Sequence, residues 1–176
     1  MPEALFLVLT VVVVLTLGMI FWAVFALTRA KLGRVAAQKL SLGSDGYVEV
    51  PLAAAFGGWK GLPWIAATSS DIAPLLRLGP DRLEYRVIRF KSRPYSDVSR
   101  VDVRTTIGTV NIVIDFHGSW RNFAGNAASL ENAAEAIEIL ARKGCPLSNR
   151  AEQLRATIGA EQLRQLTEPS IAPTAG

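Results

Sequence analysis

An uncharged run near the start of the chain constrains its fold more than any other feature. The 24 residues from Ala4 to Leu27 carry no charged side chain, and their only non-apolar members are Thr10, Thr16 and Gly18. At a rise of about 1.5 Å per residue, such a helix is about 36 Å long, whereas a hydrocarbon core is about 30 Å thick. Lipid offers the backbone no hydrogen-bond partners, and a helix needs none. The run therefore predicts one transmembrane helix over residues 1–28.

Two other interpretations of the run are a secretory signal peptide and a helix buried in a globular domain. A signal peptide has a basic start, an apolar stretch of roughly 7–15 residues and a small-residue cleavage site. Here Glu3 precedes a longer stretch, and basic residues follow it where a cleavage site would lie. A buried helix needs more surrounding chain than the rest of the sequence offers. Both arguments favour a membrane anchor.

Basic residues behind the run predict its orientation, because positively charged flanks stay on the cytoplasmic side. We expect the N-terminus outside and a cytoplasmic C-terminal domain at a bacterial inner membrane. Trp22 and Phe25 lie where an aromatic belt is expected. Residues 29–46 form a basic juxtamembrane connector, which also predicts contact with anionic membrane lipids. The cations of this connector are Arg29, Lys31, Arg34 and Lys39.

The net charge outside the connector and the small number of reactive side chains argue against several classes of function. The formal net charge of +4 equals the four connector cations, so the folded part lacks the basic stripe of a nucleic-acid binder. Cys145 is the only cysteine and can form no internal disulfide. His117 is the only histidine, and it lies in a Gly-containing turn without a nucleophile motif beside it. We therefore expect no nucleic-acid partner, no cofactor, no metal site and no enzyme activity.

From residue 47 the pattern changes to short β-type runs divided by turn residues, which predicts a small α+β domain over residues 47–147. A long loop, Pro51–Pro63, follows the first run. We expect the third and fourth strands to pair as a hairpin and the later strands to form an antiparallel meander. The predicted strands are Tyr47–Val50, Trp64–Ala67, Leu75–Leu78, Leu83–Lys91, Val101–Thr105, Val110–Phe116 and Trp120–Ala124.

One amphipathic helix is expected to cover the strands. Apolar residues recur at helical spacing from Leu130 to Ala141. Ser129 has the side chain of an N-cap, and Gly144 is a residue type that ends helices. Residues 148–176 predict a short, loosely docked helix over Asn149–Leu166 and a disordered tail from Glu168 onward.

The order of seven short strands and one C-terminal helix resembles the bacterial branch of the pleckstrin-homology-like (PH-like) superfamily. The likeness lies within Leu76–Leu147, in the segments Leu83–Arg86, Pro94–Val101 and Leu140–Gly144. It implies an antiparallel PH-like β-barrel capped by a C-terminal amphipathic helix in a membrane-anchored protein. Phosphoinositide-binding members use several Lys and Arg residues in the first hairpin loop. Since Pro51–Pro63 offers only Lys60, that ligand does not follow from the resemblance.

The aromatic loop before the second predicted strand is the first candidate surface. A tryptophan can bury a large apolar face while its N–H stays hydrated, so the loop could enter the membrane interface or meet a partner's transmembrane region. The structural alternative is that Trp64 plugs the barrel and Trp59 folds back on it. The candidate residues are Phe56, Trp59, Lys60 and Trp64.

A basic face on the central strands is the second candidate surface. Solvated strand faces often have this composition, and otherwise the face would bind anionic headgroups or an acidic partner. Its residues are Arg86, Arg89, Lys91, Arg93, Arg100 and Arg104.

These features together predict a single-pass, membrane-anchored cytoplasmic interaction module that serves as an accessory or assembly subunit of a membrane protein complex. The alternative is peripheral recognition of anionic lipid headgroups by the PH-like domain. The expected partners are membrane lipids and another membrane protein or complex. The sequence is also compatible with a homo-oligomer.

Overall fold

A computed structural model describes residues 2–60, 62–70, 73–106 and 109–167 of the chain. The chain divides into two compact units, one ending at Arg34 and the other beginning at Val35. The tail that the sequence predicts to be disordered, Glu168–Gly176, lies outside the described residues.

Helix α1 runs from Pro2 to Ala37 and contains the uncharged run. It is long and apolar enough to cross a membrane, as the sequence predicts. Its hydroxyls are satisfied locally, because Thr10 donates to the carbonyl oxygen of Phe6 at 2.9 Å and Thr16 to that of Val12 at 2.7 Å. Both hydroxyls are therefore paired within the helix, as polar groups must be where lipid offers no hydrogen-bond partner. The helix also continues through the first half of the basic connector, to Ala37.

Ten strands follow in the described part of the chain. In chain order they are β1 (Ser41–Leu42), β2 (Val48–Glu49), β3 (Ala54–Trp59), β4 (Leu62–Ser70), β5 (Leu75–Leu78), β6 (Arg82–Arg86), β7 (Phe90–Pro94), β8 (Val98–Thr106), β9 (Thr109–Phe116) and β10 (Arg121–Asn126). They form two antiparallel sheets, with the orders β1-β2-β5-β6-β7 and β4-β3-β10-β9-β8.

The two sheets are not closed into the barrel that the resemblance implies. Strand β7 ends the first sheet and β8 ends the second, and a short 3-10 helix, Tyr95–Asp97, connects them. The free edge of β8 already has another partner. Val101 donates its N–H to the carbonyl oxygen of Pro146 at 2.8 Å and accepts from the N–H of Ser148 at 2.8 Å. Because the segment Pro146–Ser148 already forms hydrogen bonds with the backbone of Val101, these β8 groups are not available to a strand of the first sheet.

The hydrophobic core lies between the sheets and one helix. Helix α2, Leu130–Arg142, packs against β8 and β9. Its N-cap is Ser129, whose hydroxyl accepts from the N–H of Asn132 at 3.1 Å, and Gly144 follows its end at a φ of +81°. The prediction of this helix and its caps is confirmed. The largest fully buried side chains are Phe116, Phe123, Leu76, Leu78, Leu83, Ile112, Ile114, Ile137, Leu140 and Val101.

The last described element is helix α3, Asn149–Thr167, which packs against α2 and β8. Its docking is anchored by Ala151, which is fully buried, and by an ion pair between Arg155 and Glu138. The helix predicted for this segment is therefore present.

Two strand predictions are wrong in an informative way. The long loop predicted over Pro51–Pro63 contains strand β3, and the register between β3 and β4 shifts on both sides of Gly58. Glycine weakens a strand signal but suits an irregular pairing such as a β-bulge. The single strand predicted over Leu83–Lys91 is a hairpin, β6 and β7, that turns at Val87–Arg89. The predicted hairpin of β5 and β6 and the β8-β9-β10 meander are confirmed.

Candidate functional site: a basic cleft lined by both sheets

An open cleft of about 510 Å³ is lined by residues of both sheets. The first sheet contributes Tyr85, the β6–β7 turn and the exposed side of β7, and the second contributes Gly57 and the beginning of β10. The remaining lining comes from the turn between β9 and β10. The cleft exists because the sheets do not close, so their facing turns stay apart. The lining residues are Gly57, Tyr85, Val87, Ile88, Arg89, Lys91, Arg93, Ser119, Trp120, Arg121 and Asn122.

Four cations project into this lining. Lys91 and Arg93 alternate along β7, which places both side chains on one face of the strand. Arg93 is partly neutralised, because its guanidinium lies 3.2 Å from a carboxylate oxygen of Asp97. Arg89 and Arg121 complete the set, and no Asp or Glu is among the described lining residues. The cleft therefore has a net positive charge.

Exposed aromatic rings lie beside the cations. Trp120 is 62% exposed and its ring centroid lies 5.5 Å from that of Trp59, which is 36% exposed. Register pairs Trp59 with Arg121, and the Arg121 guanidinium lies 5.1 Å from the centroid of the Trp120 ring. This is the geometry of a cation–π contact, in which the cation keeps most of its access to solvent.

Below the rim, the cleft rests on the aromatic core. The Tyr85 ring stacks on Phe116 at 5.3 Å between centroids and is tilted against Phe123 at 5.0 Å. Burial raises the pKa of the Tyr85 phenol, so this group stays neutral at ordinary pH. The floor is thus aromatic and uncharged, whereas the rim is cationic.

The predicted aromatic loop is not a loop, and its residues separate. Phe56 lies on β3 opposite Ala124 and is partly buried. Lys60 points its amine at the carbonyl oxygen of Phe116 and lies 3.4 Å from the Ser99 hydroxyl, so it serves the protein's own backbone. Of the candidate side chains that the structure describes here, Trp59 lies next to the cleft, where its ring contacts that of Trp120. Trp64 belongs to β4, and its side chain lies outside the described residues.

The predicted basic face is also divided. Arg89, Lys91 and Arg93 line the cleft, whereas Arg86 donates to the carbonyl oxygen of Ala73 at 2.9 Å. Arg100 and Arg104 lie on β8, around the carboxylate of Asp102 at 3.8 and 3.5 Å respectively.

Arg100 and Arg104 compensate the buried charge of Asp102 and do not line the cleft. Asp102 is 3% exposed, and its carboxylate accepts from the Ser148 hydroxyl at 2.5 Å. Ser148 in turn accepts from the N–H of Ala151 at 3.2 Å, which caps α3. A cavity of about 380 Å³ opens beside this cluster, and Arg100 in its lining already faces the buried carboxylate of Asp102.

The connector cations lie in different settings. Arg29, Lys31 and Arg34 are on helix α1, and Lys39 follows its end. The Arg29 guanidinium lies 5.0 Å from the centroid of the Phe25 ring, and Arg34 donates to the carbonyl oxygen of Ala30 at 3.4 Å. Arg29, Lys31 and Arg34 lie within about two turns of the end of the uncharged run, which fits the role of a flanking charge.

The sequence does not single out Ile88, Trp120 and Arg121, which line the cleft. It places Ile88 in the interior of a strand, and Trp120 and Arg121 at the start of another. The available signal was the segment Gly118–Arg121, in which a bulky aromatic and a cation directly follow a turn. Gly118 has a φ of +63°, which confirms the turn.

The side chains considered for catalysis lie apart from the cleft lining. His117 is exposed in the β9–β10 turn, and its backbone N–H donates to the carbonyl oxygen of Asp97 at 2.7 Å. Burial raises the pKa of Cys145 to about 11, so its thiol is protonated at neutral pH. Within the described ranges, no group of three or more His, Cys, Asp or Glu side chains could hold a metal ion.

Comparison with known proteins adds no relative. No family model matches the chain, and no curated protein matches it.

Proposed function

We propose that the chain is a single-pass, membrane-anchored interaction module. The observation that carries the proposal is the continuity of α1 with the folded domain. The helix is apolar enough to cross a membrane, yet its last residues belong to the second unit, where Val35 is 9% exposed. A chain built this way keeps its domain at a membrane, and the domain presents an open cleft for binding.

The orientation we propose is an N-terminus outside and a cytoplasmic domain at a bacterial inner membrane. Arg29, Lys31 and Arg34 support it, because they follow the uncharged run closely and no Lys or Arg precedes that run. Such a charge difference sets the orientation of a single span.

We propose further that the domain is an open variant of the PH-like fold. The β8-β9-β10 meander followed by the amphipathic helix α2 supports this assignment, as do the segments that resemble the superfamily. A fold does not fix a function, so the role of the module is argued from its anchor and its surface.

The role we propose is that of an accessory or assembly subunit of a membrane protein complex. An anchored domain needs little affinity of its own, because the anchor raises its effective concentration near other membrane proteins. A homo-oligomer would satisfy the same geometry.

Purification of the full chain from its own cells tests this role. A C-terminally tagged chain, crosslinked and extracted in mild detergent, should bring down a membrane protein in constant proportion. The matched control carries residues 1–37 fused to an unrelated soluble domain and should lose this protein. If the tagged chain repeatedly purifies alone, or only as copies of itself, the accessory-subunit role is wrong.

A further inference from the structure

Exposed large apolar side chains of the domain are concentrated around the cleft. From Val35 onward, six described side chains of this kind are exposed, and four of them lie at the cleft or next to it. Ile88 and Trp120 line it at 65% and 62% exposure, Phe90 at 53% begins β7, and Trp59 contacts Trp120. The other two are Leu42 and Leu130. An apolar patch of this kind on a small domain marks a surface that something covers.

The cations beside this patch are not used within the domain. Neither Arg89 nor Lys91 forms an ion pair with any residue that the structure describes, and Arg121 faces only the Trp120 ring. Arg93 is the exception, since it is paired with Asp97. Three cations thus remain available for an anionic partner next to four exposed apolar side chains.

We infer that this surface docks on an anionic lipid bilayer. Ile88 and Trp120 lie in two separate turns, and side chains in turns can enter the interface while the strands stay outside it. Tryptophan favours this boundary because its ring is apolar and its N–H is polar. Arg89, Lys91 and Arg121 then bind headgroup phosphates, while their apolar stems extend along the interface. An acidic protein segment would explain the cations, but it would leave the two-turn arrangement of apolar side chains without a purpose.

This inference rests on one part of the proposed function, namely that α1 anchors the domain close to a membrane. With the domain tethered, docking is an intramolecular equilibrium, so weak contacts are enough to hold it. Docking on lipid leaves the other surfaces of the domain for the protein complex.

The test uses the full chain, reconstituted into vesicles and labelled with an environment-sensitive NBD dye at Ile88→Cys. Vesicles of phosphatidylcholine alone are compared with equal mixtures of phosphatidylcholine and phosphatidylglycerol. Cys145 is buried, and the chain without the new cysteine measures any background labelling. We expect a brighter and blue-shifted emission in the anionic vesicles only. The same dye at Leu42→Cys, which is 73% exposed on β1, should respond to neither.

Charge variants sharpen the test. Lys91→Gln with Arg121→Gln should lower the ratio of docked to undocked domain about 25-fold, because each cation near an anionic surface contributes about a factor of five. Arg150→Gln with Arg164→Gln removes the same charge from exposed positions on α3 and should change nothing. Salt of about 1 M, which shortens the Debye length to about 3 Å, should undock the unmodified domain without any substitution.

The inference is overturned if the dye at position 88 stays in water in anionic vesicles, or enters neutral and anionic vesicles equally. If it stays in water while a copurifying protein is lost from the Lys91→Gln/Arg121→Gln variant, the partner of the cleft is a protein. In both cases the proposed function survives. That function fails separately, if alkaline carbonate extracts the full chain from membranes.

Discussion

Asn132 connects the end of the anchor helix to the domain. It lies in the first turn of α2, where its own N–H bonds to the cap at Ser129. Its side-chain amide, in a residue only 4% exposed, donates to the carbonyl oxygen of Gln38 at 2.9 Å and lies 3.5 Å from that of Val35. The Val35 carbonyl lies in the last turn of α1 and also accepts the backbone N–H of Gln38 at 3.1 Å, whereas Gln38 follows the helix end. One amide therefore bonds to the backbone at the end of α1 from the first turn of α2.

We expect Asn132→Ala to lower the free energy of unfolding of the domain by about 1 kcal/mol, the usual net contribution of a hydrogen bond, because the side-chain bonds to the end of α1 are lost. Alanine favours a helix by at most about 0.7 kcal/mol over asparagine, so the lost bonds dominate. Urea denaturation of the full chain in detergent, followed by tryptophan fluorescence, measures the change. Gln153→Ala, at an exposed position of α3, is the control. Equal midpoints for the two variants would contradict this account.

The basic face shows why single residues are hard to place from sequence. Arg100, Asp102 and Arg104 alternate with Val101 and Val103, which predicts a polar outer face for β8. The structure buries Asp102 as well as both valines, because α3 packs on β8 and its cap bonds to that carboxylate. Nothing in the local pattern reveals a covering element that lies 46 residues later in the chain.

At the scale of elements, the sequence predicts well wherever a local signal decides the outcome. Helix α2 has its apolar spacing, its Ser129 cap and its terminal Gly144 within one segment, and all three are confirmed. Strand β3 has no such local signal, because its stability comes from pairing with β10 and β4 on either side. The cleft depends on two turns from different sheets, so the sequence could suggest Arg89, Lys91 and Trp59 but not their meeting with Trp120.

The contribution of the Ser129 N-cap to the stability of the domain can be measured by substitution. We expect Ser129→Ala to destabilise the domain by about 1 kcal/mol, because the N–H of Asn132 loses its acceptor. Ser129→Asp should retain most of the stability, since a carboxylate accepts the same bond and interacts favourably with the helix dipole. The melting temperatures of the unmodified chain, Ser129→Ala and Ser129→Asp measure their order of stability. Ser96→Ala, at an exposed position before β8, should match the unmodified chain, and a comparable loss there would remove the case for the cap.

At the scale of the whole molecule, the two units differ in how much apolar surface they expose. The apolar side chains of α1 from Phe6 to Leu27 are largely exposed, whereas the second unit buries a core between its sheets and α2. An exposed surface of that kind is costly in water and favourable in lipid. The second unit, by contrast, hides its apolar surface except around the cleft. The exposed apolar side chains around the cleft are the part of the second unit that we propose contacts the membrane interface.

The orientation of the chain is the prediction that belongs to this scale. A green fluorescent protein fused behind Gly176 should fluoresce in a bacterial host, and alkaline phosphatase fused there should be inactive, because the domain stays in the cytoplasm. Replacing the four connector cations, Arg29, Lys31, Arg34 and Lys39, with Gln and adding the variant Glu3→Lys should invert a large share of the molecules and exchange the two signals. The control replaces Arg142, Lys143, Arg150 and Arg164 with Gln. These lie too far from the helix to influence insertion, so the orientation should hold. An active phosphatase on the unmodified chain would place the domain outside and remove the proposed cytoplasmic role.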